Sequence, residues 1–300
     1  MNEAPLLVRY FQPGDGPRVG VLRDETVHDI SHCFPALVDF FRDSVGDVDG
    51  VIAAASRAAD DSTRLFSAAE LDNAPSSGVM HWLPPVDEQE VWAAGVTYLD
   101  SRRARQEEAA DGGDVYARVY TAERPEIFFK ASSKNTVGHL DAAGFRADSS
   151  WNVPEPELGL VVNPAMEMLG FTIGNDMSSR DIEGANPLYL PQAKVYTASC
   201  AVGPGILLAP SNDWLDTTIR LVISRAGAEV FSGSVSTSQI KRTIPELLDY
   251  LGRSNTYPGG AILLTGAGIV PPAEFTLRPD DVVDITIDGI GRLQNRVIEV

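Results

Sequence analysis

Apolar and polar residues in the first third of the chain follow two different periods. Residues 6–11 and 18–22 are apolar runs on either side of a turn, which predicts a pair of short strands. Over 35–59 the apolar positions recur at helical spacing, interrupted by glycine, which predicts two short helices. Turn-forming residues then dominate 70–88 and predict a linker.

From residue 91 onward, the pattern is dominated by short apolar runs, which predict buried strands. These runs are 127–129, 158–162, 171–173, 206–208 and 282–287, the last closing a hairpin with 297–300. Helical patterns cover only 98–120 and 244–253, with Pro245 near the start of the second helix. We therefore predict a small N-terminal α/β domain over 1–85 and a larger, strand-rich domain over 86–300.

The composition of the chain disfavours some classes of binding partner. The net charge of −18 disfavours nucleic acid and anionic membranes. An uninterrupted apolar run long enough to span a bilayer is missing, and the first residues lack the basic and apolar regions of a secretion signal, so we expect a cytoplasmic protein. Cys33 and Cys200 are too few and too far apart in the sequence for a disulfide framework or a metal-binding motif.

Three acids in the central region could bind a metal. Glu155 and Glu157 are two residues apart, so they point to one face of an extended segment, and Asp176 follows in a turn that begins at Gly174. With no His or Cys nearby, an oxygen-only site suits Mg²⁺ or Mn²⁺. The alternative is that Glu155 and Glu157 are exposed and that Asp176 only caps a turn. However, the Glu pair leads into the apolar run 158–162, where burying two like charges is costly without a cation.

Lys194 is one of only four lysines and has largely apolar neighbours. A lysine held near a metal could carry a proton or bind a carboxylate. A simple surface lysine is the alternative.

Taken together, Glu155-x-Glu157, the segment 174–181, Lys194 and the late segment 264–266 resemble the fumarylacetoacetate hydrolase family over roughly residues 90–300. The resemblance implies an α+β fold, a mixed β-sandwich roll with a small N-terminal domain. It assigns Glu155, Glu157 and Asp176 as ligands of a divalent metal. It also implies a homo-oligomer, either a dimer or a dimer of dimers.

One departure from the family pattern bears on the reaction. Hydrolases of the family carry a motif of the form G-L-N-Y-x-x-H-x-x-E, whose His and Glu activate water. Ser101 and Ala104 occupy those positions here, which weakens a hydrolytic interpretation.

The segments 95–105, 124–130 and 186–194 instead resemble the sugar-acid branch, the 2-keto-3-deoxy-pentonate dehydratases that form 2,5-dioxopentanoate. This resemblance implies a hydro-lyase acting on a small anionic 2-keto acid, with Lys194 and Glu126 handling protons. Glu126 could equally be a structural acid paired with Arg124.

Residues that would bind the substrate are harder to assign. The late family motif T-G-T is Thr265-Gly266-Ala267 here, so one hydroxyl is lost. We predict substrate contacts from residues that can donate hydrogen bonds to a carboxylate, namely Ser101, Arg102, Arg105, Lys130 and Thr265. Arg102 and Arg105 could instead pair with Glu107 or Glu108 along a helix.

Two other functions remain open from the sequence. An acylpyruvate hydrolase or an oxaloacetate decarboxylase of the same family would use the same metal. A metal-binding protein without turnover would keep the three acids but would have no need of Lys194.

Overall fold

The structure is a computed structural model that describes residues 4–95, 97–98, 119 and 121–300. Its strands are β1 Leu6–Gln12, β2 Gly16–Arg23, β3 Thr26–Asp29, β4 Leu65–Ser67, β5 His81–Leu83, β6 Glu90–Gly95, β7 Glu126–Ala131, β8 Thr136–Val137, β9 Ala142–Phe145, β10 Asn152–Val153, β11 Pro156–Val162, β12 Met168–Asp176, β13 Ser178–Ser179, β14 Cys200–Leu207, β15 Thr218–Arg225, β16 Ala228–Ser236, β17 Ala261–Leu264, β18 Val282–Ile287 and β19 Gly291–Glu299.

Among the described residues, helices are fewer than strands. The α-helices are α1 Leu37–Asp43, α2 Val48–Asp60, α3 Arg180–Ala185, α4 Leu190–Lys194 and α5 Ile244–Gly252, and single 3₁₀ turns cover Ala68–Leu71, Ser133–Asn135, Pro187–Tyr189 and Thr237–Gln239. The two predicted N-terminal helices and the amphipathic helix near Pro245 are confirmed. Within the described part of the chain, no helix is long and apolar enough to cross a membrane.

Two mixed sheets form the body of the fold. The larger has the order β4-β3-β2-β1-β14-β12-β11-β17-β6-β7, with β5 paired to β1 and β8 paired to β14. The smaller has the order β16-β15-β18-β19-β9. Most neighbours are antiparallel, but β17 runs parallel to β6, β14 runs parallel to β8, and β19 runs parallel to β9. The predicted α+β class with mixed sheets is confirmed.

Strand β11 is buried on both faces, which explains its unbroken apolar sequence. Leu158 and Leu160 belong to a cluster that also contains Leu221 of the smaller sheet. Val161 belongs to a second cluster with Phe40 of α1. Because neither face of β11 meets water, alternation of polar and apolar residues is lost there. The strand lies between β12 and β17 and carries the site into the core.

The N-terminal strands continue the larger sheet. Leu6 of β1 pairs with Leu207 of β14 in an antiparallel ladder, and β2 to β4 extend the sheet beyond it. The predicted pair of strands before the first helix is confirmed. The division of the chain at residue 85 stays a prediction.

The turn predicted at Gly174 is wrong, because β12 runs without a break to Asp176. A Cβ at Gly174 would overlap the side chain of Leu264. This glycine therefore serves close packing between strands rather than a turn. The helix predicted over 98–120 lies almost wholly outside the described residues.

Candidate active site

Three carboxylates meet where β11 and β12 lie side by side. Glu155 immediately precedes β11, Glu157 is its second residue, and Asp176 ends β12. The backbone N–H of Asp176 donates to the carbonyl of Glu155 at 2.9 Å, which fixes the pairing of the two strands at this point. One oxygen from each of the three side chains lies within 4.8 Å of the others, and all three residues are buried.

The cluster is electrostatically unfavourable for Glu157. Burial raises the pKa of Glu157 well above its usual value, and the neighbouring charges of Asp176 and Glu155 raise it further. A hydrogen bond from the backbone N–H of Gly266 to Oε2, at 2.6 Å, offsets part of this effect. A divalent cation among these oxygens would remove the repulsion. Because all three side chains offer only oxygen, the set fits Mg²⁺ or Mn²⁺, as the sequence predicts.

Lys194, the last residue of α4, reaches into this cluster. Its Nζ donates to Glu155 Oε2 at 2.6 Å, to Asp176 Oδ2 at 2.9 Å and to Ser178 Oγ at 2.6 Å. These three contacts match the three hydrogens of an ammonium group. The structure thus brings Lys194 and the three acids together.

Lys130 lies beneath the cluster and does not occupy the place predicted for it. Its Nζ donates to the backbone carbonyls of Met177 at 2.9 Å and Lys194 at 2.5 Å, and it pairs with Asp176 Oδ1 at 2.6 Å. The side chain has no exposed surface. Its three hydrogens are directed to acceptors within the protein, and the contact of Lys130 with the substrate stays a prediction that this geometry does not support.

The two lysines decide the charge of Asp176. Burial alone would raise the pKa of this carboxyl, but Lys130 and Lys194 outweigh burial and hold the pKa below its usual value. Asp176 and Glu157 therefore differ in their tendency to bind a proton, although both are buried in one cluster.

A cavity opens above the cluster. It is lined by Ala94, Gly95, Glu126, Phe128, Glu155, Glu157, Asp176, Arg180, Glu183, Lys194, Gly266, Ala267 and Val270. Strand β7 supplies Glu126 and Phe128 to its wall, and Lys130 follows two residues later on the same side of the strand. Glu126 pairs with Gly95 in the ladder, and its carboxylate lies over that glycine, where a Cβ would collide with it. The predicted proton carriers Glu126 and Lys194 thus line one cavity.

Arg180 and Glu183 are site residues that the sequence analysis missed. Arg180 Nη1 donates to Glu155 Oε1 at 2.9 Å and lies 3.6 Å from Glu183 Oε2. Both residues are buried and belong to α3, which begins directly after β13. Their spacing of three residues places them on one helical face, and this was a usable signal in the sequence. Asp181 faces away and accepts hydrogen bonds from Ser149 and Ser150.

Thr265 is close to the cavity, but its hydroxyl is used elsewhere. Its Oγ1 donates to the carbonyl of Leu158 at 2.8 Å, and the residue is fully buried. The cavity wall at this point consists of Gly266 and Ala267. The hydroxyl proton of Thr265 is therefore used within the protein, and its contact with a substrate carboxylate stays a prediction. The predicted contacts Ser101, Arg102 and Arg105 lie outside the described residues.

Comparison with known proteins identifies the family of this chain. The model of the fumarylacetoacetate (FAA) hydrolase C-terminal family matches residues 90–298. The chain belongs to the fumarylacetoacetate hydrolase family.

Relatives within the family are more specific. The chain is 48% identical over 221 residues to a probable 2-keto-3-deoxyxylonate dehydratase of Haloferax volcanii, covering 73% of this chain and 76% of the relative. It is 45% identical over 215 residues to the 2-dehydro-3-deoxy-D-arabinonate dehydratase of Saccharolobus solfataricus, covering 70% and 72% of the two chains.

A solved structure extends the likeness to the whole fold. The 2-keto-3-deoxy-D-arabinonate dehydratase complexed with magnesium and 2,5-dioxopentanoate superimposes with a TM-score of 0.78 at 33% identity, covering 98% of this chain and 99% of that one. The shared fold therefore includes the N-terminal strands as well as the region that the family model matches.

Proposed function

We propose that this protein is a magnesium-dependent dehydratase that converts a 2-keto-3-deoxy-pentonate to 2,5-dioxopentanoate. One observation carries the proposal. Glu155, Glu157 and Asp176 form a buried carboxylate cluster in the same cavity as Lys194 and Glu126. The dehydratase relatives at 48% and 45% identity support the choice of reaction.

The three carboxylates would hold the metal. When bound, a divalent cation would accept the substrate carboxylate and 2-keto oxygens and stabilise the negative charge that develops when C3 loses a proton. Arg180 donates to one oxygen of Glu155 at 2.9 Å, so part of the negative charge of this ligand is balanced from the protein side. The hydrogen bond from Gly266 orients Glu157 in the same way.

Two side chains would move protons. Lys194 has three acceptors around Nζ, an arrangement that favours the protonated amine. We assign Lys194 as the donor to the departing C4 hydroxyl. Glu126, across the cavity, would remove the proton from C3. Loss of that proton and of the C4 hydroxide removes one water and leaves a 3,4-unsaturated 2-keto acid that keeps its C5 hydroxyl. Loss of a proton from C5 and addition of one at C3 then give the C4–C5 enol, which becomes the aldehyde of 2,5-dioxopentanoate.

Phe128 would keep this chemistry away from bulk water. It lies on β7 between Glu126 and Lys130, and its ring centroid is 5.6 Å from Lys194 Nζ. An apolar wall beside both proton carriers strengthens their electrostatic interactions with a bound anion.

Product analysis tests the proposal. The purified protein is incubated with Mg²⁺ and each stereoisomer of 2-keto-3-deoxy-pentonate, with an acylpyruvate and oxaloacetate in parallel. We expect 2,5-dioxopentanoate to form from at least one isomer, and EDTA to stop its formation. Turnover of the acylpyruvate or oxaloacetate alone would favour the hydrolase or decarboxylase and refute the dehydratase.

The proposal includes the cellular setting that the sequence predicts. We propose a cytoplasmic enzyme that forms a homo-oligomer, a dimer or a dimer of dimers, and that does not bind nucleic acid or membranes. Sedimentation equilibrium of the purified protein would measure the oligomeric state.

A further inference from the structure

Thr97 is a buried polar residue that the proposed chemistry does not involve. It lies two residues after β6, and Thr265 directly follows β17. Because β6 and β17 are parallel neighbours, both residues leave the sheet at the same edge. Glu157 lies at this edge as well, since β11 begins there and runs antiparallel to β17.

The hydroxyl of Thr97 is linked to Glu157 through a single peptide unit. Thr97 Oγ1 donates to the backbone carbonyl of Thr265 at 2.6 Å. This carbonyl shares its peptide unit with the N–H of Gly266, which donates to Glu157 Oε2 at 2.6 Å. A trans peptide unit is planar, so its C=O and its N–H point in opposite directions. Fixing the carbonyl therefore also fixes the direction of the N–H that Glu157 accepts.

Gly266 allows this peptide unit to take its orientation. The φ angle of Gly266 is +92°, in a region that favours glycine. A Cβ at this position would lie 2.1 Å from Thr97 Oγ1 and 2.9 Å from the carbonyl oxygen of Ala94. The hydroxyl of Thr97 thus occupies the space that a larger residue at position 266 would need.

Both partners of the hydrogen bond between Thr97 and Thr265 are held by the backbone of neighbouring segments. The N–H of Lys241 donates to the carbonyl of Thr97 at 3.1 Å. The N–H of Thr265 donates to the carbonyl of Leu158 at 3.1 Å, and its Oγ1 donates to the same carbonyl at 2.8 Å. These contacts leave the peptide unit between Thr265 and Gly266 little freedom to rotate.

The three carboxylates of the metal cluster differ in the groups that orient them. Glu155 and Asp176 both accept hydrogen bonds from a charged side chain, that of Lys194. Within the described part of the chain, Glu157 accepts its hydrogen bond from a backbone N–H instead. Loss of an outer partner that orients a metal ligand lowers the affinity for the metal. The orientation of Glu157 therefore depends on the group that fixes this peptide unit.

We propose that Thr97 is a positioning residue of the metal site, which orients Glu157 through the peptide unit between Thr265 and Gly266. This inference rests on the proposed function, because it takes Glu157 as a ligand of Mg²⁺. It adds a buried hydroxyl, separated from this ligand by one peptide unit, to the groups that determine the affinity for the metal.

Calorimetric titration of the metal-free protein with MgCl₂ tests this role. Thr97→Val replaces the hydroxyl by a methyl group, and we expect Mg²⁺ to bind about tenfold more weakly or worse. Thr97→Ser keeps the hydroxyl and should bind Mg²⁺ within about threefold of the unchanged protein. Thr97→Ala serves if the valine variant folds poorly, because it removes the hydroxyl and puts no methyl group in its place.

The matched control is Thr217→Val. Thr217 directly precedes β15 of the smaller sheet, is buried, and donates its hydroxyl to the carbonyl of Asp288 at 3.0 Å. Loss of this hydrogen bond should lower the midpoint of urea unfolding, as should the loss in Thr97→Val. The Mg²⁺ affinity of Thr217→Val should nevertheless stay within about twofold of the unchanged protein.

The outcomes separate the role of Thr97 from the proposed function. Weaker Mg²⁺ binding without the Thr97 hydroxyl, with binding retained in Thr97→Ser and Thr217→Val, supports the inference. Unchanged affinity without the hydroxyl, or an equal loss in Thr97→Ser or in Thr217→Val, would overturn it and leave the dehydratase reaction in place. If the unchanged protein does not bind Mg²⁺, the proposed function fails together with this inference.

Discussion

Lys130 and Asp176 form an ion pair with a nitrogen–oxygen distance of 2.6 Å in which neither side chain is more than 1% exposed. The same ammonium group also ties Met177 and Lys194 together through their carbonyls. A lysine on β7 thus fixes the end of β12 and the end of α4, which carry a predicted metal ligand and a predicted proton carrier. Lys130 therefore helps to position these two groups.

Replacing Lys130 by Met should destabilise the metal-free protein by about 3–5 kcal/mol, because Asp176 would keep a buried charge with one partner fewer. Saturating Mg²⁺ should restore part of this loss, since the cation supplies the missing positive charge. Urea unfolding with and without Mg²⁺ measures both effects. The control Arg296→Met breaks an exposed pair with Asp280 and should change the stability by no more than about 0.5 kcal/mol. A Lys130→Met variant as stable as the control would refute this role.

Glu157→Gln should have opposite effects on the metal-free and metal-bound protein. The pKa of Glu157 is raised by burial and by its acidic neighbours, so its ionised form destabilises the fold, and metal-free stability falls as the pH rises above the ordinary value of 4.5. Glutamine removes this penalty at neutral pH. We expect a metal-free protein at least as stable as the original and a loss of about 100-fold in Mg²⁺ affinity. Calorimetric titration with Mg²⁺ measures the affinity, and thermal unfolding without Mg²⁺ measures the stability of the metal-free protein. Unchanged Mg²⁺ binding would remove Glu157 from the ligand set.

Glu126→Gln should abolish proton removal without affecting metal binding. A keto acid with no leaving group isolates this step, because only exchange of its C3 hydrogens with solvent can occur. We expect exchange into 2-oxopentanoate in D₂O, followed by NMR, to slow by about 100-fold or more. Lys194→Met serves as the comparison for the opposite assignment. Exchange that survives in Glu126→Gln but stops in Lys194→Met would reverse the two roles.

His139 should make stability depend on pH in mildly acidic solution. Burial lowers the pKa of His139 from 6.5 to about 4, although Asp72 and Asp284 oppose this and Arg292 adds to it. Its Nδ1 accepts a hydrogen bond from the backbone N–H of Gln294 at 3.0 Å, so a proton at this nitrogen would face another donor.

The sign of the His139 effect follows from these pKa values. The unfolded chain binds a proton at this residue between about pH 6.5 and 4 and the folded chain does not, so stability is lost as the pH falls through this window. Between pH 8 and 5 the loss from this residue should be about 2 kcal/mol. His139→Gln should show a correspondingly shallower fall in urea unfolding. Parallel curves for the two proteins would show that another group is responsible.

The metal cluster could be predicted from the sequence because it depends on local spacing. Glu155 and Glu157 are two residues apart in an extended segment, so alternation predicts that they share a face. Asp176 was added as a ligand by the family resemblance, and the neighbouring strand β12 carries it to the same place. Lys194 was predicted from its apolar neighbours and from family resemblance, and it reaches the same cluster.

The roles of the other polar residues depend on tertiary contacts that a linear pattern does not contain. Lys130 and Thr265 could as well have faced a substrate, but backbone carbonyls from distant strands and helices use their hydrogens. Arg180 and Glu183 were missed because their importance comes from a third residue, Glu155, which lies 25 residues from Arg180 in the chain. The assignment of Glu126 stays a prediction, although its place in the cavity agrees with it.

Strand β7 places a predicted proton carrier, an apolar wall and a buried ammonium group, namely Glu126, Phe128 and Lys130, along a single side. Inserting or deleting one residue between two of these positions would turn the residues on one side of the change away from the cavity. A design that adapts this cavity to a new keto acid should therefore keep the length of β7 fixed and change only its side chains.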